Sequence, residues 1–161
     1  MRMQVVLITG GGSGIGKTTA LLMAAEGAAA VIVAGRRREP IDAVAAEITA
    51  LGARALAVQC DVGDQASVQA MFATVKETFG RLDVLFNNAG FGVGGHLLED
   101  LPLDEWRSVV DTNLTYVNGR AVAQTTKWAA LYWSKPHIFT HVRARAPPGE
   151  RSCAHKRRSR S

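Results

Sequence analysis

Near its start the chain runs four apolar residues, Val5 to Ile8, into five glycines broken only by Ser13 and Ile15. This stretch, VVLITGGGSGIGKTT, restricts the possible folds more than any other. Val5 to Ile8 have the length and β-branching of a buried strand. Thr18 to Ala30, rich in Ala and Leu, reads as a helix. Consecutive glycines carry an entropic cost that a plain turn would not require. A strand, a glycine turn and a helix in that order present free backbone N–H groups at the positive end of the helix, which is a phosphate site.

The letters fit two patterns. Gly11 to Thr18 match GxxxxGK[ST], in which Lys17 would reach terminal phosphates and Thr18 would ligand magnesium, as in a P-loop NTPase. Thr9, Gly10, Gly14 and Gly16 match TGxxxGxG, which resembles the nucleotide signature of the classical short-chain dehydrogenase/reductase family. In that family the glycines let a dinucleotide pyrophosphate approach the backbone. The stretch alone leaves both open.

The following segments alternate between strand and helix patterns. Ala30 to Ala34 reads as a second strand, ending in Gly35 and three arginines, Arg36 to Arg38. Pro40 can open a helix whose Ile41, Val44, Ala45, Ile48 and Leu51 share a face before Gly52 stops it. Arg54 to Cys60 forms a third strand delivering Asp61 and Val62. A helix from Ser67 places Val68, Met71, Phe72, Val75 and Phe79 on one side, and Gly80 ends it. Leu82 to Phe86 is a fourth strand, running directly into Asn87, Asn88, Ala89 and Gly90. After a Gly-rich loop, Phe91 to His96, a helix beginning near Asp104 spaces Trp106, Val109, Val110, Leu114 and Val117 as a buried face. Four strand-helix units imply an α/β, Rossmann-like doubly wound parallel sheet with its site at the strands' carboxyl ends, incomplete at the C-terminal side.

NNAG after an apolar strand has no use in a P-loop protein and strengthens the resemblance to the short-chain family, which extends over roughly residues 3 to 115. The resemblance implies hydride transfer between a nicotinamide and a small alcohol or carbonyl compound. It assigns Gly10, Ser13, Gly14, Ile15, Gly16, Arg36, Asp61, Val62, Asn88, Ala89 and Gly90 to the cofactor. Arg36 stands where an acid would select NAD, so the cofactor is expected to be NADP rather than NAD. A solvated cluster of three arginines is the plainer reading. DTNL at Asp111 to Leu114 resembles the family's catalytic asparagine motif, with Asn113 as that residue; an asparagine bonded only locally is the alternative.

Beyond Leu114 the family pattern is lost. The family's proton donor is a tyrosine made acidic by a lysine four residues on. Here Tyr116 is followed by Arg120, and Tyr132 precedes Lys135 by three. The expectation is a truncated or frameshifted dehydrogenase, with a catalytically inactive dinucleotide-binding fragment as the alternative. The family's dimer contact makes a homo-oligomer a possible state.

Charge separates the two parts of the chain. Residues 134–161 hold eight Lys and Arg against Glu150, a charge of +7, whereas residues 1–133 hold eleven bases against thirteen acids, a charge of −2. The first part reads as one dinucleotide-binding domain and the second as a basic, disordered tail. Without base-stacking aromatics in its last twenty residues, the tail is not expected to bind nucleic acid. No run approaches membrane-spanning length and no signal peptide is recognisable, so a cytoplasmic protein without a membrane partner is expected. Cys60 and Cys153 have neither disulfide-framework nor metal-ligand spacing; Cys60 reads as core, and no metal site is expected.

Overall fold

The computed structural model describes residues 4–95, 97–114 and 139–141. Strands and helices alternate as β1 (Val5–Thr9), α1 (Gly14–Ala25), β2 (Ala30–Gly35), α2 (Arg38–Ala50), β3 (Arg54–Gln59), α3 (Gln65–Phe79) and β4 (Val84–Phe86). A 3₁₀ turn at Leu98–Asp100, α4 (Leu103–Val110) and β5 (Phe139–His141) complete the described elements. The sheet order is β3-β2-β1-β4-β5. The first four strands are parallel, and β5 runs antiparallel to β4. Phe139–His141 thus form a strand inside the tail expected to be irregular; the rest of residues 134–161 lies outside the described residues.

The two-residue pleat of β1 explains why its run is apolar throughout. Val6 and Ile8 pack with Ala20 and Ala24 of α1 and with Ile41, Val44 and Ile48 of α2. Val5 and Leu7 face the other way, toward Val68, Met71 and Val75 of α3. Both faces are therefore covered, as the doubly wound reading requires.

Several expected boundaries move. Helix α1 starts at Gly14 rather than Thr18 and stops at Ala25, and a positive φ at Gly27 turns the chain toward β2. Helix α2 starts at Arg38, so Pro40 is its third residue; first-turn N–H groups have no intrahelical acceptor, and proline loses nothing there. Leu51 is exposed, because the helix ends at Ala50 and the chain turns away at Gly52. Helix α3 starts at Gln65, capped by the Asp64 carboxylate accepting from the Ala66 and Ser67 N–H groups.

Strand β4 starts at Val84, two residues later than expected, and the Asp83 carboxylate before it holds the entry to β1. Its Oδ2 accepts from the buried Val5 N–H at 2.8 Å and from Arg81 Nε at 2.9 Å. Asp83→Ala would leave that N–H without an acceptor at the entry to the central strand. A loss of about 1–3 kcal/mol is expected in urea unfolding. Arg81→Ala should cost less, since the arginine side chain is 44% exposed. Equal effects of the two substitutions would show that the N–H is not the important partner.

The apolar face expected on α4 is not buried. Among the described residues it is covered only in part: Trp106 and Leu114 are 50% and 59% exposed, whereas Val109 and Val110 are half-buried. Val117 lies outside the described residues. Residues 111–114 continue α4 as a π-helical turn, a distortion often found at functional sites.

Candidate nucleotide site

Strand β1 lies between β2 and β4, so successive connections leave it toward opposite edges of the sheet. This is the topological switch point, where ligands of open α/β sheets bind outside the carboxyl ends of the strands. A cavity of about 480 Å³ opens there. Four strand ends line it: Gly10, Gly12 and Ser13 after β1, Gly35 to Arg37 at β2, Cys60 to Val62 after β3, and Ala89 to Phe91 after β4. Thr112, Pro40 and Ile41 complete the wall.

The turn after β1 is fastened on both sides. Gly11 N–H donates to the Ala34 carbonyl at 3.1 Å. The Asn88 side-chain amide donates to the Thr9 and Gly10 carbonyls at 3.0 and 3.3 Å. In return Thr9 Oγ1 accepts from the Asn88 and Ala89 N–H groups at 3.1 and 3.0 Å. The approach is close enough to require glycine: a methyl on Gly10 would lie 2.9 Å from the Ala89 Cα, and one on Gly16 would overlap the Gly10 carbonyl. Ser13 stands at the N-cap of α1 without its side chain accepting an N–H, so the first-turn donors and the positive end of the helix remain available to an anion.

The P-loop arrangement is not formed. Lys17 Nζ lies 2.8 Å from Glu47 Oε1 on α2, and the Thr18 hydroxyl donates to the Gly14 carbonyl. Both groups that GxxxxGK[ST] would turn toward phosphate and magnesium are engaged within the fold.

Among the cofactor residues expected from sequence, Gly10, Ser13, Arg36, Asp61, Val62, Ala89 and Gly90 line the cavity. Asn88 fastens its edge and Gly16 is the close-contact point behind it, whereas Gly14 and the 72%-exposed Ile15 lie outside it. Asp61 Oδ1 accepts from Gly63 N–H within its own turn. Asn113 does not line the cavity; its Oδ1 accepts from Phe91 N–H at 3.0 Å and its Nδ2 donates to the Phe91 carbonyl at 2.7 Å. Tyr116, Arg120, Tyr132, Ser134 and Lys135 lie outside the described residues.

Sequence reasoning missed Phe91 and Thr112 as wall residues and Gln59 as a fastener. The Gln59 Nε2 donates to the Arg36 carbonyl at 2.9 Å. A polar residue closing the apolar run of that strand was the available signal for it. Cys60 is buried as expected; burial pushes its thiol pKa up, the nearby Asp61 and Asp64 add to this, and a hydrogen bond with Ser67 opposes it. It is therefore held as a neutral thiol, a poor nucleophile.

A parallel sheet with a glycine turn and an asparagine-fastened strand end at its switch point defines a nucleotide-binding α/β protein of Rossmann type. The family model for short chain dehydrogenases matches residues 4–129. The chain is 44% identical over 114 residues to a 3-oxoacyl-[acyl-carrier-protein] reductase of Synechocystis sp., covering 71% of this chain and 46% of that protein. It is 40% identical over 111 residues to a 3beta-hydroxysteroid dehydrogenase of Mediterraneibacter gnavus, covering 69% and 40%. Among solved structures, levodione reductase aligns with a TM-score of 0.74 and 36% identity over 79% of this chain and 50% of that one. NAD+-bound xylitol dehydrogenase aligns with a TM-score of 0.74 and 31% identity over 78% and 48%. The chain belongs to the short-chain dehydrogenase family. It spans about half the length of the relatives it matches.

Proposed function

We propose that this chain is the dinucleotide-binding part of an NAD(P)-dependent oxidoreductase acting on a small alcohol or carbonyl compound, with NADP favoured over NAD. The observation that carries the reading is the convergence of four strand-end loops on one cavity whose glycines leave no room for side chains. When bound, a nicotinamide cofactor supplies hydride exchange with a carbon centre. Gly12, Ser13 and the α1 N-terminus would hold the pyrophosphate, and Asp61 and Val62 the adenine. Arg36 would meet the 2′-phosphate, and Ala89 and Gly90 would admit a ribose against the backbone. Asn113 is a positioning residue, fixing the main chain after Gly90 through Phe91.

Turnover by this chain alone is not expected, because no tyrosine in it precedes a lysine by four residues. A truncated or frameshifted dehydrogenase is part of the same reading. So are a cytoplasmic setting and association of a second copy over the exposed Leu103, Trp106 and Leu114.

Tryptophan fluorescence titration with NADPH, NADH and magnesium-ATP tests the proposal. NADPH should bind best, and Lys17→Ala should change its affinity less than about threefold, the scale of a solvent-exposed ion pair. Arg36→Asp should weaken NADPH by about tenfold or more while NADH holds, since a charge-assisted contact is replaced by repulsion. Magnesium-dependent ATP hydrolysis lost on Lys17→Ala would overturn the reading.

A further inference from the structure

Arg36 is held at two points before any ligand arrives. Its main-chain carbonyl accepts from Gln59 Nε2 at 2.9 Å, which ties the end of β2 to the end of β3. Its guanidinium lies 5.7 Å from the centroid of the Phe91 ring, within cation–π reach. Among the described residues it forms no ion pair, although Asp61 and Asp64 line an adjoining cavity with it. Its charge is therefore oriented by a ring, and among the described residues no carboxylate pairs with it.

The main chain that carries the ring is itself held. Phe91 is half-buried, and both its backbone N–H and its carbonyl are clamped by the one side-chain amide of Asn113. An extended arginine on a loop loses rotamer freedom when it grips a phosphate; one already laid on a ring has less to lose. A leucine at position 91 would fill similar space but has no quadrupole to attract a cation.

We infer that Phe91 is a positioning residue for cofactor selection: held by Asn113, its ring sets the Arg36 guanidinium at the cavity wall for a ribose 2′-phosphate. The inference rests on the reading that Arg36 meets that phosphate. It gives the residue following NNAG a part in choosing between phosphorylated and unphosphorylated adenosine, through a contact that leaves the pyrophosphate site untouched.

The probes are adenosine 2′,5′-bisphosphate and 5′-AMP, titrated calorimetrically into the full chain, with the Arg36 Nε–Hε resonance followed by NMR. Phe91→Leu should weaken the bisphosphate about fivefold, the scale of an exposed cation–π contact, while 5′-AMP affinity stays within error. It should also remove the ring-current displacement of the Arg36 resonance. Phe91→Tyr, which keeps the ring, should restore both. Parallel weakening of the two nucleotides would mark a general structural role and overturn the inference. So would an unchanged affinity ratio in Phe91→Leu when the wild-type chain discriminates between the probes. A wild-type chain that does not discriminate would overturn the reading of Arg36 itself, and the inference with it.

Discussion

Thr9→Val is expected to destabilise the fold by about 2–4 kcal/mol and to abolish nucleotide binding, even though the two side chains have nearly the same shape. Thr9 is 2% exposed at the end of the central strand. Its hydroxyl oxygen is the acceptor for two successive N–H groups, those of Asn88 and Ala89, in the turn that leaves β4. Valine would keep the shape of the side chain, strip both donors of their partner and remove the hydroxyl's own bond to the Phe86 carbonyl. Two part-buried N–H groups without acceptors cost far more than one lost hydroxyl contact gains, because each forfeits its hydration. The turn could recover water only by separating from the β1 glycines, which would carry Asn88 off the Thr9 and Gly10 carbonyls as well. Thr9→Ser, which keeps the oxygen, should recover most of the loss. Urea unfolding of the three forms decides: a valine variant within about 0.5 kcal/mol of wild type would show that the hydroxyl is not the link between the two central strands.

The order of elements and the location of the site were legible because each depends on local patterns. Alternating apolar strands and amphipathic helices specify a doubly wound sheet, and that topology brings the ends of β1, β2, β3 and β4 together whatever their side chains. Helix starts were less legible. Gly14 opens α1 and Arg38 opens α2 because tertiary packing of Ala20, Ile41 and Val44 outweighs weak local propensity. The buried face assigned to α4 failed for a different reason: periodicity identifies an apolar stripe, but burial requires another layer to face it. The choice between the two glycine patterns was likewise not local. It drew on NNAG far along the chain, and the fold adds Glu47, thirty residues from Lys17 in sequence and 2.8 Å away, which engages the lysine. Arg36 was legible as a cation closing the second strand, whereas its two fasteners, Gln59 and Phe91, come from different strand ends that only the folded sheet brings together.

Gly16→Ala is the second large effect, and its comparison with Gly14→Ala separates close contact from backbone conformation. At Gly16 an added methyl would overlap the Gly10 carbonyl and stand 2.6 Å from the Asn88 side-chain nitrogen. Neither neighbour can yield cheaply. Gly10 is already in the left-handed region, with φ of 66°, and lies against the Ala89 backbone, while Asn88 is held by two carbonyls. Relief requires α1 to lift away from the β4 turn, which disrupts the Asn88 bridge and moves the helix N-terminus off the cavity. A loss of about 3 kcal/mol in stability is expected, at the upper end for an overpacked site. NADPH affinity should fall at least about tenfold further than any effect at Gly14. Gly14 presents the opposite case: φ is 53° but nothing lies within 4 Å of an added methyl, so alanine there pays only the left-handed penalty of about 1–2 kcal/mol. Unfolding midpoints and NADPH titrations of the two variants test the distinction. If Gly14→Ala were as damaging to binding as Gly16→Ala, the turn would depend on glycine for its backbone angles alone, and the close approach of α1 to the Asn88 turn would not be what shapes the cavity.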